Sequence, residues 1–200
     1  MSTIIRSLLI VVAVAAIAGG ATYSYFSDTE TSNANTFTAG TLDLKLNGAD
    51  APVTVFNVTN MRPGNQPLGQ VKLKNAGSIA GNLSISGVIL TSEENGLTEP
   101  EEEAGDVTSG INEGELQNRL GFTLFQDNDC NGWVGVGEPK LYDGMMKDLP
   151  STIAISKTLA ANEEICLSYQ VNWWDSGDAI KDNVAQSDGV KIDMTFGIKQ

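Results

Sequence analysis

Acidic and amide side chains recur at alternate positions in the twelve residues from Asp127 to Glu138, which read DNDCNGWVGVGE. This segment fits the pattern D-x-[DN]-x-[DN]-G-x5-E at every fixed position, a spacing typical of calcium-binding loops. Oxygen ligands at alternate residues can converge on one ion, the glycine permits a sharp turn, and the last glutamate can bring both carboxylate oxygens. The predicted metal ligands are Asp127, Asp129, Asn131, Trp133 and Glu138.

An ordinary polar turn is the alternative for this loop, because the residues before it, Gly121 to Phe125, have the character of a strand rather than of a helix. Calcium loops with this ligand spacing do not require two flanking helices, however, and a weak extracellular site can still be filled. A bound calcium would stiffen the loop, and it would imply no catalysis.

Histidine is absent from the whole chain. Its absence excludes a Ser-His-Asp triad, a Cys-His dyad, the H-E-x-x-H zinc protease site and any imidazole general base. Four late aspartates could supply paired carboxylates for glycoside hydrolysis, but solvated turns explain them equally well; they are Asp175, Asp178, Asp182 and Asp188. We therefore expect a protein that is not an enzyme.

Charge and cysteine content limit the partners and the compartment. The chain has 12 basic and 25 acidic residues, a formal net charge of -13, so its surface repels nucleic acid and anionic headgroups. Two cysteines form an even number, and in an exported protein a disulfide between Cys130 and Cys166 is expected rather than a reactive thiol pair.

Two other kinds of surface feature are weaker signals. Asn57 and Asn82 begin acceptor sequons, which matter only if the producing cell glycosylates exported protein. Trp133, Trp173 and Trp174 could form an aromatic platform for a ligand, but core and subunit contacts are the more usual roles of such residues.

The elements that would position these residues are strands. Apolar and polar residues alternate with a period of two, which indicates strands with one buried face. The candidate segments are Thr41–Leu46, Val53–Val58, Gln70–Lys74, Asn82–Leu90, Leu120–Gln126, Thr152–Leu159, Ile165–Trp174 and Val190–Ile198. Many short strands with little helical periodicity predict an all-β fold, a jelly-roll-like or immunoglobulin-like β-sandwich.

Two segments interrupt this pattern. A single helix is predicted from Asn112 to Asn118. The stretch from Glu93 to Gly110 is rich in glutamate and almost free of apolar residues, so it is predicted to be a solvated loop or insertion.

The amino terminus has the features of an export signal. An apolar run of eleven residues, Leu8–Ala18, follows Arg6 and leads into small residues. Spanning a bilayer takes about 20 apolar residues, so a signal peptide cleaved near Ala21 is favoured over the alternative, an uncleaved membrane anchor. About 180 residues then remain, enough for one domain. We expect a signal peptide at 1–21, an extended segment at 22–35 and a sandwich domain at 36–200.

Several blocks of sequence together resemble the TasA/camelysin-like family of secreted biofilm-filament proteins, with related archaeal bundling pilus subunits. The blocks are the leader running into Thr22–Asp28, then Asn35–Leu44, Met61–Gly64, Lys74–Ser78 and Asp182–Asp188. The resemblance covers both ends and the early strands, whereas the region from Thr91 to Ser151 is less typical.

The resemblance implies a jelly-roll subunit that polymerises by donor-strand exchange, in which an amino-terminal strand inserts into a groove of the neighbouring subunit. On this chain the donor strand would run from Thr22 to about Thr31, with Thr22, Tyr23, Ser24, Tyr25 and Phe26 at its start. The name camelysin carries a metalloprotease label, but a zinc site without histidine would have only carboxylates and cysteines, an unusual set for catalysis.

The sequence therefore leads to two functional hypotheses. The first is a secreted structural subunit, a homopolymer of identical chains with lateral bundling of filaments, that binds no nucleic acid and meets the membrane only during export. The second is a monomeric, calcium-stabilised cell-surface binding module whose first strand completes its own sheet.

Overall fold

Antiparallel strands dominate the part of the chain that the computed structural model describes, residues 39–50, 61–110 and 112–200. In those residues the strands are β1 (Leu44–Leu46), β2 (Leu68–Asn75), β3 (Gly81–Glu93), β4 (Leu120–Asp127), β5 (Lys140–Met145), β6 (Thr152–Ile153), β7 (Thr158–Leu159), β8 (Glu164–Trp173) and β9 (Gly189–Lys199). Two short α-helices are α1 (Glu99–Ala104) and α2 (Ala179–Asn183), and 3-10 helices span Leu116–Asn118 and Met146–Asp148.

The strands form two sheets. The first has the order β1-β2-β8-β4-β5, with every neighbouring pair antiparallel. In the second, β3 is central, with β6 and β7 along one edge and β9 along the other. The fold class predicted from the alternating pattern, an all-β sandwich, is confirmed.

A single apolar cluster fills the space between the sheets. Val71 from β2 and Phe122 and Leu124 from β4 belong to it, as do Leu83 and Ile85 from β3. The alternation explains the arrangement, because side chains at every second position of a strand point to the same face. Residues 40–200 form one compact unit around this core.

The central strand β8 shows the two-face pattern clearly. Its core face carries Leu167, Tyr169, Val171 and Trp173, all of which belong to the buried cluster. The opposite face carries Cys166, Ser168 and Gln170, and these residues hold the loop that follows β4.

Two of the sequence blocks that carry the family resemblance meet in space. The N–H of Ser78 donates to the backbone carbonyl of Thr41 at 2.9 Å, and the N–H of Thr41 donates to Ser78 Oγ at 2.9 Å. Asn75 is fully buried, and its side chain bonds the N–H of Gly77 and the carbonyl of Ile79. A side chain at Gly77 would collide with the Thr41 carbonyl, which explains the glycine there.

The structure corrects the two interruptions expected from the sequence. The helix predicted at 112–118 is only a 3-10 turn at Leu116–Asn118, because Asn112 has a left-handed φ of 66° that a helix cannot contain. The acidic stretch is not a solvated loop, since it contains α1 and fully buries Glu101. The segment predicted as one strand at 152–159 forms two, β6 and β7, and β5 was not predicted.

The predicted signal peptide at 1–21, the donor segment at 22–35 and the candidate strand at 53–58 lie outside the described residues. Within the described part of the chain, no helix is long and apolar enough to cross a membrane.

Candidate functional site

The loop from Asp127 to Glu138 brings three predicted metal ligands together. Asp127 is the last residue of β4, and one carboxylate oxygen from each of Asp127, Asp129 and Glu138 lies within 4.8 Å of the others. Two oxygens that bind the same calcium ion at about 2.4 Å lie no more than about 4.8 Å apart. These three carboxylates therefore have a spacing that one calcium-sized ion can bridge.

Backbone N–H groups hold Asp127 at the centre of the loop. Gly132 N donates to Asp127 Oδ2 at 2.8 Å, and Asn131 N donates to Asp127 Oδ1 at 3.3 Å. The hydroxyl of Ser168 donates to Asp127 Oδ2 at 2.6 Å. Gly132 adopts a φ of 83°, a conformation that favours glycine, and this lets the chain turn back onto the carboxylate.

Glu138 closes the loop from its other end. Its Oε1 accepts a hydrogen bond from Asn128 N at 2.8 Å, and its Oε2 accepts one from Gly135 N at 2.6 Å. Both carboxylate oxygens thus face the loop, as the last ligand of a calcium loop must.

The remaining two predicted ligands are less directly placed. Asn131 Oδ1 accepts from Trp133 N at 2.6 Å, and Asn131 Nδ2 donates to Asp129 Oδ2 at 2.7 Å. Trp133 is 55% exposed, so more than half of its surface faces solvent. To bind Asn131 Oδ1, an ion would have to replace the hydrogen bond that this oxygen accepts from Trp133 N.

Asp127 is charged despite its burial. The residue is only 2% exposed, and burial alone would raise its pKa. Hydrogen bonds from Ser168, Gly132 and Asn131 oppose that effect and hold the pKa below its ordinary value. The loop is therefore built to carry a negative charge at its centre.

The loop is fastened to the outer face of β8 at three points. Cys130 is joined to Cys166 by a disulfide, and Ser168 bonds Asp127. Gln170 Nε2 donates to the Gly132 carbonyl at 3.1 Å. These attachments fix the ligands on a rigid central strand, which favours a preformed site.

A second feature lies on the core side of β8. A cavity of about 420 Å³ opens between the sheets, with Tyr169, Val171 and Trp173 on one wall and Val190 and Ile192 of β9 on the other. Its volume lies within the roughly 300–1,000 Å³ of ligand pockets. Trp173 is 3% exposed, and its Nε1–H has no hydrogen-bond partner within residues 39–50, 61–110 and 112–200.

Strand β9 borders this cavity, and no described strand pairs with its outer edge. Among the described residues β9 pairs with β3 alone, over most of its eleven residues. Val190, Ile192, Met194, Phe196 and Ile198 pack partly buried against the core. A long edge strand beside an apolar groove is the arrangement that accepts an added strand.

The other predicted sites are dispersed. Asn82 is exposed on β3 and accepts a hydrogen bond from Thr158 Oγ1 at 2.6 Å. Trp173 is buried whereas Trp133 and Trp174 are more than half exposed, so the three do not form one platform. The proposed donor residues Thr22 to Phe26 and the sequon residue Asn57 lie outside the described residues.

Sequence reasoning missed the groove and the buried part of the acidic segment. The groove walls come from strands far apart in the chain, so no local spacing reveals them. The acidic segment did carry a signal, since Thr98 and Glu101 have capping-box spacing and Thr98 N donates to Glu101 Oε2 at 2.7 Å. That pattern predicts a helix start where a solvated loop was expected.

Comparison with known proteins gives one family. The model of the family described as camelysin metallo-endopeptidase matches residues 4–119, more than half of the 200-residue chain. The match includes the acidic segment but ends before the Asp127 loop, the disulfide and β9. No curated protein matches the chain.

Proposed function

The chain belongs to the camelysin metallo-endopeptidase family, and we propose that it is a secreted structural subunit that polymerises head-to-tail by donor-strand exchange into extracellular filaments. The observation that carries the proposal is the open edge of β9 beside the apolar cavity. An inserted strand would pair with that edge and cover the cavity in one step.

The occupant of the groove would be the segment beginning at Thr22 of a neighbouring subunit. Tyr23, Tyr25 and Phe26 are its apolar anchors, and each aromatic side chain buried in this way contributes roughly 1.5–3 kcal/mol. A strand passing through the groove also brings backbone carbonyls, one of which can accept from the Trp173 indole N–H. Among the described residues, that buried N–H has no acceptor.

Head-to-tail exchange explains why the product would be a filament. Each subunit gives one strand and receives another, so the two contact surfaces differ and the assembly need not close. The family's archaeal bundling pili, and lateral bundling of filaments, stay predictions for this chain.

A peptidase role fits the residues less well than the family description suggests. The chain has no histidine, and both of its cysteines are joined in a disulfide. Catalytic zinc centres rely on histidine with carboxylate or thiolate ligands, so the donors available here do not fit one. We propose that any metal in this protein is structural, with calcium at the Asp127 loop.

The proposal is tested by removing the donor and then supplying it in trans. Secreted protein lacking residues 22–28 should remain a soluble monomer in electron micrographs, whereas the parent should form filaments. A synthetic peptide of residues 22–31 should cap growing ends and shorten the parent filaments. The matched control is the same peptide carrying Tyr23→Ser and Tyr25→Ser, which should not cap.

Filaments formed by the truncated protein would contradict donor-strand exchange through this segment. Cleavage of peptide substrates by the pure parent protein, abolished by a chelator, would contradict a purely structural role.

A second candidate is a monomeric surface module that holds an apolar ligand in the same cavity. The cavity's volume favours it, and an acceptor atom on such a ligand could bind the Trp173 indole N–H, which has no partner among the described residues. A parent protein that stays monomeric under all conditions, with its Tm raised by an apolar ligand, would favour this candidate over the filament subunit.

A further inference from the structure

Five carboxylates converge at one end of the sandwich, away from the Asp127 loop. They come from the end of β3 and the acidic segment, from the residue before the 3-10 turn, and from the residue before β9; they are Glu94, Glu101, Asp106, Glu115 and Asp188. Oxygens of Glu94, Asp106 and Glu115 lie within 4.8 Å of one another, and so do oxygens of Glu94, Glu101 and Asp188. We call these five residues the acidic basin.

The basin has no countercharge. No lysine or arginine in the described part of the chain forms an ion pair with any of its five carboxylates. Glu101 is fully buried and Asp106 is only 8% exposed. Carboxylates this deeply placed are normally paired with a cation or bound to a metal.

Some of the basin's oxygens also lack any hydrogen-bond donor. Asp106 Oδ2, Glu94 Oε1 and Asp188 Oδ1 are buried and accept no hydrogen bond from a donor among the described residues. Glu101, by contrast, has its oxygens satisfied by the backbone and hydroxyl groups of Thr98 and Ser187. The unmet oxygens therefore belong to the members of the basin that surround Glu94.

One hydroxyl stands among three of these carboxylates. Thr108 Oγ1 lies 2.8 Å from Asp106 Oδ1, 3.4 Å from Glu115 Oε1 and 3.5 Å from Glu94 Oε2. A hydroxyl carries one hydrogen, which Asp106 receives at the shortest distance, so it cannot satisfy Glu94 and Glu115 as well. The threonine oxygen, in turn, has lone pairs that a cation can use.

We propose that the acidic basin is a second cation site, in which Glu94, Asp106 and Glu115 bind one calcium-class divalent ion. Carboxylate and hydroxyl oxygens are hard ligands of the kind that calcium takes in sets of six to eight, with water completing the shell. Oxygens of Glu94, Asp106 and Glu115 lie close enough together for one ion with metal–oxygen distances of about 2.4 Å to reach all three. Asp188 lies on the other side of Glu94, in the group that Glu94 forms with Glu101.

The ion would join parts of the chain that the backbone connects only indirectly. Asp188 Oδ2 already accepts hydrogen bonds from the N–H groups of Glu115 and Leu116. Asp188 also immediately precedes β9 and lines the apolar cavity. A cation here would fix the acidic segment, the 3-10 turn and the start of β9 relative to one another.

The test separates this site from the Asp127 loop. The full chain with Asp127→Asn and Glu138→Gln is stripped with a chelator and titrated with calcium, followed by calorimetry and thermal melting. We expect one binding event and a rise in Tm of several degrees. Adding Glu94→Gln with Asp106→Asn should weaken calcium binding at least tenfold and remove the rise.

The matched control removes the same charge nearby. Glu102 and Glu103 lie in α1 beside Glu101, but they are exposed and outside the basin. Glu102→Gln with Glu103→Gln should therefore keep the calcium affinity within about twofold of the value without these two changes. If the double basin variant does not fold, Glu115→Gln alone takes its place. Two results would overturn the proposal. One is that the protein with Asp127→Asn and Glu138→Gln neither binds calcium nor gains Tm from it. The other is that the Glu102→Gln, Glu103→Gln control loses as much calcium affinity as the basin variant.

Discussion

The two carboxylate clusters of this protein differ in the hydrogen-bond donors that surround their buried negative charges. In the Asp127 loop, backbone N–H groups and the Ser168 hydroxyl surround the buried charge. In the acidic basin, one buried oxygen of each of Glu94, Asp106 and Asp188 has no donor in the part of the chain that the structure describes. The loop is therefore stable as a charged structure by itself, whereas the basin needs either protons or a cation.

The difference follows from where the ligands stand in the chain. The loop's acidic ligands lie within twelve residues, so the same backbone that presents them also supplies donors. The basin's carboxylates come from Glu94 to Asp188 and are brought together by folding. Backbone N–H groups reach one oxygen of Asp106 and one of Asp188, but the other oxygen of each has no donor among the described residues. The two clusters thus differ in their donors, because both oxygens of the buried Asp127 accept hydrogen bonds whereas Asp106 Oδ2 accepts none from the described residues.

The largest effect should come from the covalent tie that only the loop has. Cys130→Ser with Cys166→Ser removes a disulfide between residues 36 apart in sequence. By restricting the unfolded chain, a bridge of this span is expected to stabilise the fold by about 4 kcal/mol. We expect the free energy of unfolding, from denaturant titration, to fall by roughly 2–4 kcal/mol. Dithiothreitol should reproduce the loss in the parent and change nothing in the variant. Two titratable thiols in the untreated parent would contradict the bridge.

Amide substitutions should move the two clusters in opposite directions. Asp127→Asn removes the acceptor charge from satisfied donors, and it should destabilise the chelator-treated protein by about 1–3 kcal/mol. Glu94→Gln relieves repulsion in the basin, and at pH 8 it should raise Tm under the same conditions. Melting curves of both variants in a chelator check this. If both substitutions changed Tm in the same direction, the proposed contrast between the clusters would be wrong.

The two clusters should also affect the pH dependence of stability in opposite directions. Burial, followed by the nearby Asp188, raises the pKa of Glu94 to about 7 from an ordinary 4.5, with Glu101 and Asp106 adding to the effect. Protonated Glu94 therefore makes its full contribution to the free energy of unfolding below pH 4.5, and that contribution is lost as pH rises through about 7. The lowered pKa of Asp127 acts oppositely, because its contribution is present above the ordinary value and lost in acid.

In a chelator, Tm should therefore fall as pH rises from about 4.5 to about 7.5, and Glu94→Gln should flatten that slope. Added calcium should flatten it too, because the ion replaces the proton. An unchanged slope in Glu94→Gln would show that other groups cause it.

The smallest effects should come from a matched pair of glycines. Gly132 in the loop and Gly105 at the end of α1 both have left-handed φ values, 83° and 90°, with room for a methyl group. Alanine at either position should cost about 1–2 kcal/mol for the conformation alone. Denaturant titration should give similar values for both, while only Gly132→Ala should alter calcium binding at the loop. A much larger cost at Gly132 would indicate a role beyond backbone conformation.

The predictable parts of this protein are those set by local pattern. The period of two identified β2, β4, β8 and β9 almost to their ends, because each has one face on the core. Spacing also identified Asp127, Asp129 and Glu138 as a group. Strand β5 escaped because its residues are mostly exposed or half-buried and show no alternation.

The basin and the groove could not be predicted for a different reason. Residues such as Glu101 and Asp106 belong to a stretch whose composition indicates solvent exposure, and only the tertiary fold places them inside. The pairing of Asp188 with the 3-10 turn joins residues 72 apart, a contact that no spacing rule encodes.

Strand β8 has a mechanical consequence if the subunits form a filament. Tension along such a filament would enter each subunit through the groove, whose wall includes Tyr169 and Trp173 on one face of β8. The opposite face is cross-linked by Cys166 and bonded through Ser168 to Asp127. The wall of the groove opposite β9 is thus cross-linked on its far face, so a reduced or calcium-depleted filament should break at a lower pulling force than an intact one.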